Sequence, residues 1–243
     1  MEDQWRDRLR VMEAWYDDLL GEGFEQAEQQ LLWDHRAYAE RLAQFHGRVI
    51  DVGGGAGLAR RFLPDHVDYW VVDPSATWQA PQWREFAAKF HRGQSHFTVG
   101  VGEDLPFGAG EFDGALAMWS FNHADDPTQC LREIGRVLKP GGRALVVLED
   151  MEPTIADVGR LWLQERSARQ VRFPIDWHQD GIATAADTLR HRLARRPWPL
   201  QPDHTRVDER QLKAAMHNRF KTLSRSWEGG FLAYELERLG PAL

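Results

Sequence analysis

A glycine-rich segment, DVGGGAG at residues 51–57, has residue types and spacing that indicate ligand binding. It follows an apolar run and precedes LARRFL, a segment that favours a helix. Glycines at such a turn let the backbone come close to a ligand. A second apolar run, VDYWVVD, ends at Asp73, twenty residues after Gly53. Because a carboxylate placed there can accept hydrogen bonds from both hydroxyls of a ribose, the pattern predicts a nucleoside-containing ligand.

The spacing of the glycines discriminates among such ligands. A dinucleotide fingerprint requires a third glycine, but that position is Leu58 or Arg60, depending on the starting glycine. A P-loop requires a lysine directly after a glycine, and none of the four lysines stands there. The remaining pattern, D-x-G-x-G-x-G, suits a cofactor that has adenosine but no phosphate. S-adenosylmethionine is such a cofactor.

The elements that must position these residues alternate between strands and helices. The segments RVIDV, VDYWVVD, SHFTVGV, FDGALAMW and RALVVLED are strand-like. One intervening helix is capped by Asp126 with Pro127 at its first position, and residues 139–142 end it. A carboxyl-terminal hairpin turns at residues 228–230. The pattern predicts an α/β fold: a doubly wound, Rossmann-like, mostly parallel sheet with an antiparallel last strand.

Four regions are expected along the chain. Residues 1–47 form amino-terminal helices that close over the site: one has Trp5, Leu9, Met12, Tyr16 and Leu19 on one face, and a second has Leu31, Tyr38, Leu42 and Phe45. Residues 48–150 form the cofactor-binding core. Residues 151–205, too long for a simple connection, form a helical substrate-binding insertion or lid before the last two strands. Residues 206–243 add the last helix and the hairpin.

The insertion differs in charge from the rest of the chain. Between Val158 and Arg206 it has nine arginines and five acids, whereas the whole chain has a formal charge of −7. The arginines either bind an anionic acceptor or form a solvated helix face. The candidates for anion binding are Arg190, Arg192, Arg195 and Arg196.

The bulk properties restrict the class of protein. At 243 residues, with 42% hydrophobic residues, the chain can bury one good core. Its negative charge gives no general attraction to nucleic acid or anionic membranes. Cys130 is the single cysteine, the first ten residues are charged where a signal peptide would be apolar, and no run is long enough to span a membrane. We therefore expect a cytoplasmic protein.

Three stretches of the sequence resemble those of a known family. DVGGGAG is followed by GEDLPFGAGEFD at residues 102–113 and by LREIGRVLKPGGRALVV at residues 131–147. In this order and spacing they resemble the class I S-adenosylmethionine-dependent methyltransferases, and among them the enzymes of ubiquinone and menaquinone biosynthesis. The resemblance implies S-adenosylmethionine as cofactor and S-adenosylhomocysteine as product.

The resemblance also implies a set of cofactor-binding residues. Gly53, Gly54 and Gly55 would pass under the methionine and ribose portions, Asp51 would hold the loop and assist the amino group, and Asp73 would bind the ribose. Other members would contact the adenine or the methionine portion, or close over the cofactor: Pro74, Trp78, Gly102, Glu103, Trp119 and Tyr16. Helix packing is an alternative role for Tyr16. Since Val101 stands where the family often has an aspartate, adenine recognition would depend on backbone groups, Glu103 and apolar contact.

Candidates for contact with a methyl acceptor follow the fourth and fifth strands. An unperturbed imidazole has a pKa near neutrality, so His123, in SFNHADD, could take a proton from the acceptor. It could equally be a helix-entry residue that hydrogen-bonds Asp125 or Asp126. Glu149, at the end of the fifth strand, is a candidate substrate-binding residue, with a solvated strand end as the alternative.

Two further candidates lie in FPIDWHQDG, inside the insertion. Trp177 is predicted to form a wall of the acceptor site or, alternatively, to anchor the insertion to the core. His178 is predicted to orient the acceptor or to take its proton, with simple solvation as the alternative. No metal-binding residues are predicted, and Cys130 is predicted to fill the core.

The leading hypothesis is a methyltransferase, monomeric or homodimeric, that acts on O, N or C of a small-molecule biosynthetic intermediate. One alternative is methylation of a macromolecule such as tRNA or a protein, with the arginines as the contact patch. Another is a protein that binds S-adenosylmethionine without methylating. An NAD-dependent reductase is disfavoured by Leu58, Arg60 and the hairpin.

Overall fold

The computed structural model describes residues 2–90, 92–93, 95–160, 190–195, 200, 204–228 and 231–240. Seven strands form one sheet: β1 (Arg48–Val52), β2 (Asp68–Asp73), β3 (Ser95–Val99), β4 (Phe112–Met118), β5 (Leu138–Leu148), β6 (Phe220–Glu228) and β7 (Phe231–Arg238). Their order is β3-β2-β1-β4-β5-β7-β6. The first five are parallel, whereas β7 is antiparallel to β5 and β6. The predicted α/β sheet with an antiparallel last strand is confirmed.

Helices flank the sheet. The α-helices are α1 (Glu2–Gly21), α2 (Phe24–Arg36), α3 (Ala39–Leu42), α4 (Pro81–Phe90), α5 (Pro127–Val137) and α6 (Glu209–Met216). Short 3₁₀ helices span Leu58–Arg61, Ala76–Gln79 and Phe121–His123. Among the described residues, none of the helices combines the length and apolar character needed to cross a membrane.

The core lies on both faces of the sheet, because successive side chains of the central strands belong alternately to two apolar clusters. Val49 and Val71 belong to one cluster, which includes Leu42 of α3. Ile50 and Val72 belong to the other, which is lined by α5 and α6. Strands buried on both faces read as continuous apolar runs, as RVIDV and DYWVVD do.

The two ends of α5 lie where the sequence predicts them, but the next strand begins earlier than predicted. Asp126 caps the helix by accepting hydrogen bonds from the backbone N–H groups of Thr128 and Gln129, with Pro127 at the first helical position. The strand was predicted from Arg143, yet β5 begins at Leu138. The pairing shifts register there, and Gly141, with a φ of 80°, permits the irregular backbone.

The second amino-terminal helix is shorter than its apolar pattern predicted. We expected Tyr38 to lie on one helical face with Leu42, but α2 ends at Arg36, and Tyr38 has non-helical backbone angles before α3. Tyr38 is fully buried, and its hydroxyl donates to the carbonyl of Glu228, 3.1 Å away. A contact with the end of β6 therefore outweighs the local helical pattern.

Most of the predicted insertion lies outside the described residues. Of its described parts, residues 155–160 and 190–193 are helical. Arg192, one of the candidate anion-binding arginines, forms an ion pair with Glu152 at 2.9 Å. Arg196 lies outside the described residues.

Candidate active site

The glycine-rich loop follows β1, at the point where the strand order changes direction between β2 and β4. In open α/β sheets, ligands bind at this switch point. Gly53 and Gly55 have φ angles of 70° and 53°, which L side chains rarely adopt. A Cβ at Gly53 would lie 2.4 Å from Cβ of Ser120, and one at Gly54 would lie 2.6 Å from Cγ of Asp51. All three positions therefore require glycine.

Asp51, near the end of β1, is a buried carboxylate that accepts a hydrogen bond at one of its two oxygens. The hydroxyl of Tyr69 donates to its Oδ2. Its Oδ1 is buried without a hydrogen-bond partner among the described residues. Burial raises the pKa of Asp51 to about 6, against the opposing hydrogen bond from Tyr69. Oδ1 is thus an acceptor that a ligand donor could satisfy.

Asp73, the last residue of β2, is buried and accepts three hydrogen bonds. Its Oδ2 accepts from the backbone N–H of Gly55 at 3.0 Å, while Oδ1 accepts from the N–H of Ser75 at 2.9 Å and from Nε1 of Trp78 at 2.8 Å. Burial raises its pKa to about 6. A carboxylate offers about four lone-pair positions. Binding both hydroxyls of a ribose would therefore require one of these donors, such as the Trp78 indole, to move.

Aromatic side chains cover this part of the loop. Trp78 is buried, and a Cβ at Gly55 would lie 3.4 Å from its ring. The ring of Tyr16, from α1, packs edge-on against Trp78 with centroids 4.7 Å apart. Glu13, also in α1, accepts a hydrogen bond from the hydroxyl of Ser75. The first helix therefore lies across the residues that follow β2, and Tyr16 is part of this aromatic packing.

The predicted adenine-recognition segment is tied to α5. A Cβ at Gly102 would lie 2.9 Å from Sγ of Cys130, so close packing alone requires glycine there. Oε1 of Glu103 accepts from the backbone N–H groups of Asp125 and Asp126, at 2.9 and 3.1 Å. Glu103 thus holds the loop before α5. Cys130 is buried, as predicted, and burial raises the pKa of its thiol well above the usual range.

Two more predicted cofactor-binding residues lie at strand ends. Pro74 follows β2 and is half-buried. Trp119 follows β4 with a φ of 58°, which is uncommon for a bulky residue. Its ring packs against His35 and Phe231, and its Nε1 is buried with no hydrogen-bond partner among the described residues. Outliers of this kind concentrate at functional sites.

Three titratable side chains, from His123, Glu149 and His204, meet near the ends of β4 and β5. We call them the His–Glu–His cluster. One potential ligand atom from each lies within 4.8 Å of the other two. Nε2 of His204 is 3.6 Å from Oε2 of Glu149, and the imidazole centroids of His123 and His204 are 4.5 Å apart. The cluster brings two predicted residues together with one that was not predicted.

His204 was missed because nothing near it in the sequence indicates chemistry. It ends the proline-rich segment LARRPWPLQPDH, whose composition is typical of a linker. In the structure its side chain is almost fully buried, and Nδ1 lies 2.7 Å from Oδ2 of Asp150. The remaining two predictions, Trp177 and His178, lie outside the described residues.

Comparisons with known proteins support one family. Residues 50–146 match a family model described as a methyltransferase domain. The chain is 33% identical over 114 residues to the O-methyltransferase cnsE of Penicillium expansum, covering 46% of this chain and 41% of that protein. It is 34% identical over 113 residues to the ubiquinone/menaquinone biosynthesis C-methyltransferase UbiE of Geotalea daltonii, covering 44% and 47%. The chain thus spans about half the length of such curated relatives.

A solved structure shares the fold. The PH0226 protein of Pyrococcus horikoshii OT3 superimposes with a TM-score of 0.56 at 17% identity, over 88% of this chain and 92% of that one. The sheet order and the glycine loop at the switch point define a Rossmann-like fold. Within it, residues 50–146 match the methyltransferase-domain model and are similar in sequence to UbiE.

Proposed function

We propose that this chain is an S-adenosylmethionine-dependent methyltransferase that acts on O, N or C of a small-molecule biosynthetic intermediate. The observation that carries the proposal is the proximity of the glycine loop to the His–Glu–His cluster. The segment that follows β4 links the two: a Cβ at Gly53 would lie 2.4 Å from Cβ of Ser120, and Ser120 precedes His123 by three residues. A cofactor on the loop would therefore face an acceptor at the cluster.

The residues of the loop region fit this cofactor, which supplies a methyl group on a sulfonium centre. Asp51 would accept a hydrogen bond from the amino group through Oδ1, its buried oxygen without a described partner. Asp73 would bind the ribose hydroxyls. The glycines would pass beneath the methionine and ribose portions, since a side chain at Gly55 would fill the space against Trp78.

The other proposed cofactor contacts follow from their places in the fold. Pro74 and Trp78 would flank the adenine, and Tyr16 would close over it from α1. Gly102 would present backbone groups to the adenine edge, with Glu103 holding that segment against α5. Trp119 would lie beside the methionine portion.

The cluster would hold the acceptor and take its proton. Methyl transfer is an in-line displacement, so the chain mainly has to position the acceptor atom and exclude water. For a hydroxyl or amine acceptor, an imidazole of His123 can accept the proton, while Glu149 binds the acceptor. Trp177 and His178, in the insertion, would complete the acceptor site.

The four regions predicted from the sequence serve this proposal. Residues 1–47 would close over the cofactor, 48–150 would bind it, 151–205 would cover the acceptor, and 206–243 would complete the sheet. We place the activity in the cytoplasm, in a monomer or homodimer that does not bind nucleic acid. The single buried cysteine suits a reducing compartment.

The deciding experiment supplies methyl-labelled S-adenosylmethionine to the purified protein, with fractionated small metabolites in one arm and RNA and protein fractions in the other. We expect label in a small-molecule fraction. Label only in RNA or protein would replace the proposal with macromolecular methylation. Retention of the cofactor without transfer in any arm would indicate a binding protein.

A Gly55→Val variant tests whether the glycine loop is the cofactor site. Its side chain would occupy the space above the loop, so it should remove cofactor binding and label transfer together. Gly240→Ala is the reference, because a Cβ there has no neighbour within 4 Å among the described atoms and Gly240 lies outside the proposed site. Normal cofactor binding by a folded Gly55→Val protein would contradict the placement of the site.

A further inference from the structure

The His–Glu–His cluster has the ligand types of a mononuclear metal site. Two imidazoles and one carboxylate present ligand atoms within 4.8 Å of one another. Zn–N bonds are about 2.0–2.1 Å long, so ligand atoms on one ion lie roughly 3–4 Å apart. The 3.6 Å between Nε2 of His204 and Oε2 of Glu149 already meets this requirement. The ligand atom of His123 lies within 4.8 Å of the other two, so binding a common ion would bring it closer to them.

The surroundings of His204 resemble the outer shell of a metal site. Nδ1 of His204 is 2.7 Å from a carboxylate oxygen of Asp150. A carboxylate accepts from an N–H, so in a neutral imidazole this contact favours the proton on Nδ1, and Nε2 is the ring nitrogen on the side of Glu149. Metal-binding histidines commonly donate their other ring N–H to a carboxylate, which fixes the tautomer and orients the ring.

One residue, Asn122, ties together the segments that supply the three ligands. Its Nδ2 donates to the carbonyl of Glu149 at 3.0 Å, and its Oδ1 accepts from the N–H of Glu149 at 3.1 Å. Its own carbonyl accepts from the N–H of Thr205 at 2.5 Å. Since Asn122 is adjacent to His123, and Thr205 to His204, the backbone around all three ligands is held in place before any ion binds.

We propose that His123, Glu149 and His204 bind one divalent transition-metal ion, with Asp150 orienting His204. Two imidazoles favour Zn²⁺ or a similar ion over Mg²⁺ and Ca²⁺, which prefer oxygen ligands. Three protein ligands leave coordination positions open. Those positions would hold an oxygen-bearing acceptor. With the lone pair of His123 on the ion, the ion would replace His123 as the group that promotes loss of the proton, by lowering the pKa of the bound hydroxyl so that the proton passes to water. This role rests on the proposed methyltransferase function, whereas the ion site itself does not.

The test measures Zn²⁺ binding by calorimetry on the full chain, purified without a polyhistidine tag and treated with a chelator. Mg²⁺ is the comparison ion. We expect one Zn²⁺ per chain and much weaker binding of Mg²⁺. His123→Gln and Glu149→Gln remove a ligand and should weaken binding more than Asp150→Asn, which should cost about 10–100-fold. His217→Gln is the matched control, because His217 is exposed at the carboxyl-terminal end of α6 and is not a member of the cluster.

Absence of Zn²⁺ binding at micromolar concentrations would overturn the proposal, as would equal binding by the His123→Gln and His217→Gln variants. Circular dichroism of each variant separates lost ligands from lost folding. Co²⁺ provides a second readout: its visible absorption should appear with the wild-type chain and not with His123→Gln. Label transfer in the absence of any metal binding would leave the proposed function intact and remove only the ion site.

Discussion

At the scale of single residues, the two buried carboxylates of the loop region should make binding of the proposed cofactor depend on pH. Burial raises the pKa of both Asp51 and Asp73 to about 6. Each must be ionised to accept a full set of donors, and protonation removes an acceptor position. We therefore expect affinity for S-adenosylhomocysteine, measured by calorimetry, to fall as the pH drops through about 6.

An Asp73→Asn variant separates the contribution of Asp73 to this pH dependence from that of Asp51. An amide cannot ionise, so this variant should bind more weakly at pH 7.5 and lose affinity less steeply toward pH 5, with Asp51 supplying the remaining dependence. An identical pH profile in the wild type and the variant would mean that Asp73 acts only as the anchor of Gly55, Ser75 and Trp78.

The places of the loop residues in the fold could be predicted from the sequence, because these residues stand at the ends of two clearly apolar runs. Asp51 is the next-to-last residue of β1, Gly53 follows β1, and Asp73 is the last residue of β2. His204 could not be predicted, since a long insertion separates it from His123 and only tertiary packing brings their rings together. The burial of Tyr38 likewise depends on a contact with Glu228 that no local pattern contains.

At the scale of elements, Arg225 of β6 attaches both the start of the insertion and α6 to the sheet. Its guanidinium contacts both carboxylate oxygens of Asp157, at 2.6 and 2.9 Å, and donates to Glu209 at 2.9 Å. Asp157 is 1% exposed. Arg225→Gln would leave Asp157 buried with only the exposed guanidinium of Arg160, 4.0 Å from its Oδ1, as a described ion-pair partner. We therefore expect the free energy of unfolding in urea to fall by about 3 kcal/mol at pH 7.

The matched control is Arg143→Gln, which breaks the more exposed pair with Glu235 and should cost less than about 1 kcal/mol. Burial opposes ionisation of Glu209, but hydrogen bonds beginning with that from Arg225 lower its pKa to about 2. A lowered pKa contributes stability above pH 4 that is lost as the pH falls toward 2. The difference between wild type and Arg225→Gln should therefore shrink across this range; a constant difference would contradict the ionic account.

At the scale of the whole molecule, α1 is the part expected to respond when the cofactor binds. It contacts the segment that follows β2: Glu13 accepts a hydrogen bond from Ser75, and Tyr16 packs against Trp78. We expect S-adenosylhomocysteine to slow backbone hydrogen exchange in α1, since ligand binding to a closed state suppresses local opening. Helix α6 is the internal reference, because it packs in the same apolar cluster as α5. Equal slowing in both helices would indicate global stabilisation only.

The burial of Cys130 makes the chain suitable for single-site labelling. A raised thiol pKa and a buried sulfur mean that maleimide reagents should react with Cys130 slowly in the folded protein and rapidly in denaturant. A cysteine introduced at Val11, which is 63% exposed on α1, would then be the reactive thiol of the folded chain. A spin label or fluorophore placed there could follow the position of α1 without first replacing a native cysteine.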